Sequence, residues 1–506
     1  MTITLKVYNT STFIVGYLSS EVYKSFKKAL GYKDPQAIWK HNAGKWDGIV
    51  STVCYNKKYC KCPIKKDGIH FPTGLFSKAK EFFDYHNISY FIQDCREKIS
   101  IENKWISNPT LPPYDYQEET IDKACERTRG IIKIATGGGK TRVCAGIIAK
   151  LGVYPFIFYV TSKDLLKQAH EELQRFILEN GSSVEVGVIG DGKCVIKDIN
   201  VMTVQTAARV LGEDFDFDDD EEKIAEEDFS EIDKKKEEIY NLIINAKGII
   251  ADECQYWSAK SCQIITGYSD KAKYKYGASA TPTRDLGDDI LIEACFGKTI
   301  VDINASYLID RGFLVPPTIY FIHTKKYKTN DSYQYVYKNF VVENEERNLL
   351  VCQAANKLVS LGRQALILVK NISHGEILEE MIDGSFFMNG SHSSKDRNAH
   401  IQKMRERKMS VTISTSIFDT GVDIKALDGL VLAGSGKSST RAKQRIGRIV
   451  RLFTDPISGY VKKDAIAFDF QDHVRYLSAH SNKRRQIYMT EPRFIIKELY
   501  PYGKIN

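Results

Sequence analysis

The stretch Gly130-Ile131-Ile132-Lys133-Ile134-Ala135-Thr136-Gly137-Gly138-Gly139-Lys140-Thr141 decides the fold. It begins as an apolar run of strand type and is followed by an Ala- and Ile-rich helical stretch. Between the two, three glycines let backbone N–H groups approach phosphate oxygens closely, and the N-terminus of the coming helix adds a favourable dipole. Lys140 is placed to reach β- and γ-phosphates, and Thr141 can hold Mg²⁺. The strict G-x-x-x-x-G-K-[ST] pattern is met except at its first position, which is Ile134.

Outward from this unit, residues 115–300 alternate strand with helix. PFIFYVTS precedes the helical KDLLKQAHEELQRFILEN, and NVMTVQT, KGIIADE and YKYGASAT are later strands. A parallel sheet covered by helices is expected. A second alternating region, about 301–480, offers RQALILVK, SFFMNG, MSVTISTS, ALDGLVLAG and KDAIAFDF as strands. Two tandem α/β domains are implied, and 506 residues leave room for roughly three domains in all. Residues 1–110 carry 17 Lys and Arg against 9 Asp and Glu and are rich in aromatics; they are expected to form a small α+β module. Its flanking SSEVYKSFKKAL and LFSKAKEFFDYH are helical, and the proline-rich NPTLPPYDY makes a linker. The expected division is 1–110, 111–300 and 301–506, the last including a C-terminal extension.

Residues 213–238 hold fifteen acidic side chains and four lysines. This segment is −11, so the rest of the chain is +19 against a total of +8. The acidic segment is expected to stay solvated as a surface insertion that modulates access electrostatically, and the basic remainder favours a polyanion such as nucleic acid. No signal sequence and no run of about 18 apolar residues occurs, so a soluble, cytoplasmic protein without a membrane partner is expected. Eleven cysteines without framework spacing suit reduced thiols. Cys54, Cys60 and Cys62, with His70, could ligate zinc, but they form no paired C-x-x-C and leave a fourth ligand unassigned.

Gly248-Ile249-Ile250-Ala251-Asp252-Glu253 is an apolar strand ending in two acids. Beyond a phosphate loop, such a pair provides a Mg²⁺-associated Asp and a water-activating Glu.

In order, these residues resemble the motifs of superfamily 2 helicases, and the two sheets resemble their paired RecA-like domains. Gln117 in PYDYQ is similar to the Q motif that reads adenine, and Ala135, Thr136, Gly137, Gly138, Gly139, Lys140 and Thr141 to motif I. VTSKDLLKQ with Thr161 resembles motif Ia, MTVQT with Thr203 and Gln205 motif Ib, and DECQ at 252–255 motif II. Ser279-Ala280-Thr281 is similar to motif III, which couples hydrolysis to domain movement. LILVKNISHG at 366–375 resembles motif IV, and STSIFDTGVDI at 414–424, with Thr415, Gly421 and Asp423, motif V. Gln444 to Arg451 is similar to motif VI, whose spaced arginines, Arg448 and Arg451, reach the γ-phosphate.

The resemblance implies a catalytic set of Lys140, Asp252, Glu253, Gln255, Arg448 and Arg451, with ATP and Mg²⁺ as cofactors. It implies nucleic-acid contacts at Thr161, Thr203, Gln205 and Thr415. DECQ departs from DEAD and DEAH, which weakens assignment to the RNA helicase groups named for those tetrapeptides. FLVPP at 313–317, ENEERN at 343–348, His374-Gly375 and FDTGVDI resemble the DNA-directed branch with XPB-like and phage UvsW-type helicases. WDG at 46–48 and FPTGL at 71–75 are similar to the small duplex-binding domain of the UvsW type, and QDHVRYLSAHSNKRRQIY suits the same group. A monomeric 3′–5′ motor on forked or branched DNA is therefore expected, acting in repair, recombination or replication. RNA–DNA hybrids or RNA are the rival substrates. A third reading, a catalytically weak binding scaffold, rests on Gln255 and the missing first glycine. No further carboxylate cluster supports a nuclease.

Overall fold

A computed structural model describes residues 2–34, 47–55, 66–178, 181–213, 229–283, 287–415, 424–434, 436 and 438–503. The chain forms two compact units: 1–134 with 139–302, and 135–138 with 303–506. Helices start where the sequence supplies a capping oxygen. Ser19, Ser162, Thr203 and Asn344 each accept a bond from an amide of their helix's first turn.

The first unit opens with strands β1 (Thr2–Val7), β2 (Ser11–Val15), β3 (Gly31–Lys33), β4 (Ile49–Ser51), β5 (His70–Pro72) and β6 (Ser89–Asp94). Four of them make a sheet of order β5-β2-β1-β6, with β1 antiparallel to β2 and parallel to β6. The helices Ser20–Ala29 and Phe76–Tyr85 bury Phe26, Phe82 and Phe83 against it. Both helices fall where the sequence places them, whereas β1, β2 and β6, bounded by Asn9, Gly16 and Asn87, lie outside the stretches read as elements there.

This module has its own sheet but shares its core with the motor part of the unit. Ala294, from the helix Ile290–Phe296, sits in the module's apolar cluster. Gly74 lies so close to that helix that an added Cβ would stand 2.1 Å from the Glu293 carbonyl oxygen. Lys78 pairs with Glu293 at 2.8 Å, and Lys298 bonds Glu81. The FPTGL segment is thus the docking joint of the module. Trp46 of WDG, together with Cys60 and Cys62, lies outside the described residues.

The same unit continues with β7 (Arg129–Ile134), β8 (Phe156–Val160), β9 (Val186–Gly190), β10 (Lys193–Val195), β11 (Ile199–Thr203), β12 (Gly248–Asp252), β13 (Tyr274–Ser279) and β14 (Thr299–Ile303), in the order β10-β9-β11-β8-β12-β13-β7-β14. Apart from the β9–β10 hairpin, the pairings among β9, β11, β8, β12, β13 and β7 are parallel. β8, β11 and the first four residues of β12 are buried throughout, as strands covered on both faces must be. The strand read into NVMTVQT stops at Thr203, where the threonine hydroxyl caps a helix that begins at Val204.

Residues 229–238 correct the expectation of a wholly solvated acidic insertion. They enter the helices Ser230–Lys234 and Lys236–Asn245, which bury Ile232 and Ile239 in the sheet's core, and Asp233 pairs with Arg209 at 2.8 Å. Apolar spacing outweighs charge there. Residues 214–228 lie outside the described residues.

The second unit is a seven-stranded sheet of β15 (Pro317–Lys326), β16 (Ala365–Leu368), β17 (Phe386–Met388), β18 (Val411–Ser414), β19 (Gly429–Leu432), β20 (Ala465–His473) and β21 (Ile495–Leu499). Its order is β17-β18-β16-β19-β20-β15-β21, and every neighbouring pair is parallel. β21 comes from the C-terminal extension, which therefore completes the sheet. No helix among the described residues is long and apolar enough to cross a membrane.

Candidate functional site

Parallel strands all end at one edge, and that edge is where ligands of such sheets sit. In the first unit it collects Thr161 after β8, Thr203 at the end of β11, Asp252 at the end of β12 with Glu253 after it, and Ser279 at the end of β13. β7 delivers the phosphate loop to the same edge. Gly137 and Gly139 hold φ of +87° and +76°, which glycine adopts without strain, and Gly139 directly precedes the helix Lys140–Leu151. A Cβ on Gly139 would stand 2.4 Å from Gln117 Nε2, so Gln117 packs directly against the loop. Its Oε1 accepts from the Tyr114 amide at 3.0 Å, and its Nε2 donates to the Tyr116 hydroxyl at 3.3 Å.

Lys140 Nζ lies 2.7 Å from Glu253 Oε1 and 3.5 Å from Asp252 Oδ1. Burial alone would lower the lysine pKa, but the two carboxylates outweigh it and hold the ammonium charged. Burial pushes the Asp252 carboxyl above the ordinary range, with Lys140 opposing. Glu253 holds φ +50° and ψ +54°, a left-handed conformation costing a non-glycine residue on the order of 1–3 kcal/mol, and such strain clusters at functional positions.

From Glu253 a hydrogen-bonded chain runs through the sheet edge. Gln255 Nε2 donates to Glu253 Oε2 at 2.9 Å, the Ser279 hydroxyl donates to Gln255 Oε1 at 2.6 Å, and the Thr281 amide donates to Ser279 Oγ at 2.9 Å. Each donor meets an acceptor, so the amide orientation of Gln255 is determined. Ser279 is fully buried, and Gln255 and Thr281 nearly so; Ala280 is half-buried between them.

The other first-unit residues turn inward. Gln205 Nε2 donates to the Thr161 carbonyl at 2.7 Å, and the Thr203 hydroxyl bonds Thr206 Oγ1 at 2.8 Å; all three side chains named from motifs Ia and Ib are buried. They buttress the loop backbones.

In the second unit Gln444 and Arg448 lie on the helix Ser439–Ile449, whose Ile446 and Ile449 are buried, and Arg451 follows it, bridging to Leu314. Thr415 directly follows β18, and Ser414 donates to its carbonyl. Gly421 and Asp423 lie outside the described residues. Arg347, Tyr337 and Arg484, none of them assigned a role from the sequence, hold the backbone that leads to this helix. Arg347 donates to the Ala433 carbonyl at 2.8 Å and to Asp472 at 2.9 Å, Tyr337 to the Gly434 carbonyl at 2.9 Å, and Arg484 to the Gly436 carbonyl at 2.8 Å and to Asp469. ENEERN and the RRQIY tail carry those arginines.

A glycine loop, a strand-end acid pair and a lysine between them define a P-loop-type nucleoside triphosphatase site. The family of the res subunit of type III restriction enzymes matches residues 110–284, and the helicase conserved C-terminal domain matches 346–453. The chain is 22% identical over 489 residues to the ATP-dependent DNA helicase uvsW of Enterobacteria phage T4, covering 88% of this chain and 89% of that one. It is 23% identical to the DNA 3′-5′ translocase XPB2 of Sulfurisphaera tokodaii, covering 76% and 90%. Among solved structures, a fragment of a type I restriction enzyme HsdR subunit from Vibrio vulnificus matches with a TM-score of 0.50 at 17% identity, covering 84% and 73%. The chain belongs to the superfamily 2 helicases, resembling the UvsW and XPB types, and is an ATP-driven enzyme.

Proposed function

We propose that this protein is a 3′–5′ DNA translocase that remodels branched or forked DNA at the expense of ATP, acting as a monomer in the cytoplasm in replication, recombination or repair. The observation that carries the reading is the bonded chain from Lys140 through Glu253, Gln255 and Ser279 to Thr281. It joins the phosphate loop, the acid pair and the Ser-Ala-Thr turn into one unit that can sense what binds at the loop. That the T4 relative is a DNA helicase and the Sulfurisphaera relative a DNA 3′-5′ translocase supports DNA as the track and the 3′–5′ direction.

In this reading the backbone amides of Ala135 to Gly139 cradle phosphates, Gln117 holds the base side of the loop, and Lys140 leaves the acids to meet the β- and γ-oxygens. The acid pair and one lysine leave one net negative charge at the edge, which fits a divalent cation. Thr141 and Asp252 would hold Mg²⁺, which supplies charge neutralisation at the phosphate oxygens. Glu253 then orients and deprotonates water, while Arg448 and Arg451, with Gln444, Gly421 and Asp423, stabilise charge on the transferred group. Because Gln255 is bonded on both sides, any shift of Glu253 is transmitted to Ser279 and Thr281, the step that couples hydrolysis to movement. Thr161, Thr203, Gln205 and Thr415 shape the loops that present backbone amides to the strand's phosphates.

ATPase rate measured against single-stranded, duplex, forked and four-way DNA, with matching RNA, tests this. Greatest stimulation by forked or four-way DNA is expected; equal or greater stimulation by RNA or a hybrid would overturn the substrate assignment.

A further inference from the structure

At the amino end of the first motor sheet, away from the phosphate loop, the N-terminal module and the sheet line an open cavity. Asn9, Thr10, Ser11 and Lys66 line it from the module, and Arg129 and Lys275 from the sheet. Three cations thus face one volume, and no carboxylate is among the lining residues. The nearby acid, Asp270, accepts from the Thr10 hydroxyl at 2.7 Å and forms a long ion pair with Lys66 at 3.9 Å.

Lys275 is completely buried, and its ammonium bonds the Thr266 and Ser269 carbonyls at 2.9 and 2.8 Å. Arg129 donates Nη2 to the Asn9 carbonyl at 2.7 Å, while its buried Nε meets no acceptor among the described residues. Burial, and then the Arg129 charge, hold Lys275 well below its ordinary pKa; burial, and then the Arg96 charge, push Arg129 down to about 10. Burying cations is costly, Asp270 offsets that cost only in part, and an anion in the cavity relieves more of it.

We propose that this cavity is a second phosphate-binding site, in which Arg129, Lys275 and Lys66 hold one phosphate group and tie the N-terminal module to the motor. Arg129 and Lys66 match a dianion, the guanidinium fork suits phosphate oxygens, and a bound anion draws Lys275 to its charged form. The site is not the ATP site. Arg129 begins β7, which ends at Ile134 before the loop, and Lys275 lies near the start of β13, which ends at Ser279. At about 3.3 Å per residue, four or five residues separate the two ends by about 13–17 Å. The same two strands connect them. The phosphate can be free in solution or belong to nucleic acid, and the two sources are separable by experiment.

The full chain carrying Lys140→Ala, which removes the loop's own phosphate ligand, is melted in increasing inorganic phosphate at fixed ionic strength. A saturable rise in melting temperature is expected, with its apparent Kd raised about tenfold in Arg129→Gln and in Lys66→Gln. In parallel, affinity for a short duplex is measured in the same variants. A roughly tenfold loss there without a response to free phosphate assigns the cavity to a nucleic-acid phosphate and still supports the site. If Arg129→Gln does not fold, Lys66→Gln at the rim and Asn9→Asp, which puts a carboxylate beside Arg129, decide it. No phosphate response together with unchanged duplex affinity in the folded variants overturns the proposal.

Discussion

At the carboxyl edge of the first sheet, Lys140 sits between Asp252 and Glu253 with side chains 16–24% exposed, whereas in the second unit the Arg347–Asp472 and Arg484–Asp469 pairs are at most 4% exposed. Both arrangements place a cation on carboxylates carried by parallel strands or their ends. The first is open enough for its partners to be exchanged for a nucleotide and metal, and the second is not. Breaking a pair sealed from water strands a charge, so the second kind holds backbone in place while the first is available for chemistry.

The sharpest way to break this comparison is to remove the open pair. Lys140→Ala and Glu253→Gln are expected to lower ATP turnover by about 10²–10⁴-fold while leaving the melting temperature near that of the wild type. Turnover within a few-fold of wild type in either variant would remove the site assignment. The opposite pattern is expected for Arg484→Met: with Asp469 left unpaired, stability falls by about 3–5 kcal/mol, read as a lower denaturant midpoint. Unchanged stability would mean the sealed pair is not structural.

A smaller effect sharpens the contrast through pH. His374 is completely buried, its Nε2 2.9 Å from Asn348 Oδ1, and burial followed by the Arg347 charge lowers its pKa to about 3. The unfolded chain, with an ordinary histidine pKa of about 6.5, then takes up the proton first as pH falls. Its contribution is complete above about pH 6.5 and is lost on acidification at about 1.4 kcal/mol per unit, so about 2 kcal/mol is gone at pH 5. Urea midpoints between pH 7 and 5, compared with His374→Gln, measure it; an identical slope in the variant counts against it.

The smallest expected effect is that of Gln255→Ala. Removing two bonds of the chain to Ser279 is expected to cost about 1–2 kcal/mol, a roughly 5–30-fold fall in nucleic-acid-stimulated turnover, with basal turnover falling less. Equal loss in both rates would place Gln255 in chemistry rather than in coupling.

How far the sequence reaches differs along the chain. Lys140, Asp252, Glu253 and Ser279 are legible because a glycine loop and strand-end acids need fixed local spacing, and the parallel sheet is foreshadowed by apolar runs of alternating period. Gln255 could be seen only as a departure from a familiar tetrapeptide; its bond to Ser279, 24 residues away, shows why an amide fits there. β6 pairs with β1 far along the chain, so no local pattern marks it, whereas the β1–β2 hairpin is a local pairing that the sequence reading did not assign. The helices over 230–245 were hidden by the charge around Ile232 and Ile239.

The sequence by itself determined the class of chemistry, since phosphate loops and acid-ended strands are local objects whose residue types are dictated by short-range geometry. Tertiary structure alone decided which charges are open and which sealed, that FPTGL joins the module to the motor, and that Lys66, Arg129 and Lys275 meet around one cavity. Burial and juxtaposition depend on residues tens to hundreds of positions apart, and no local pattern encodes them.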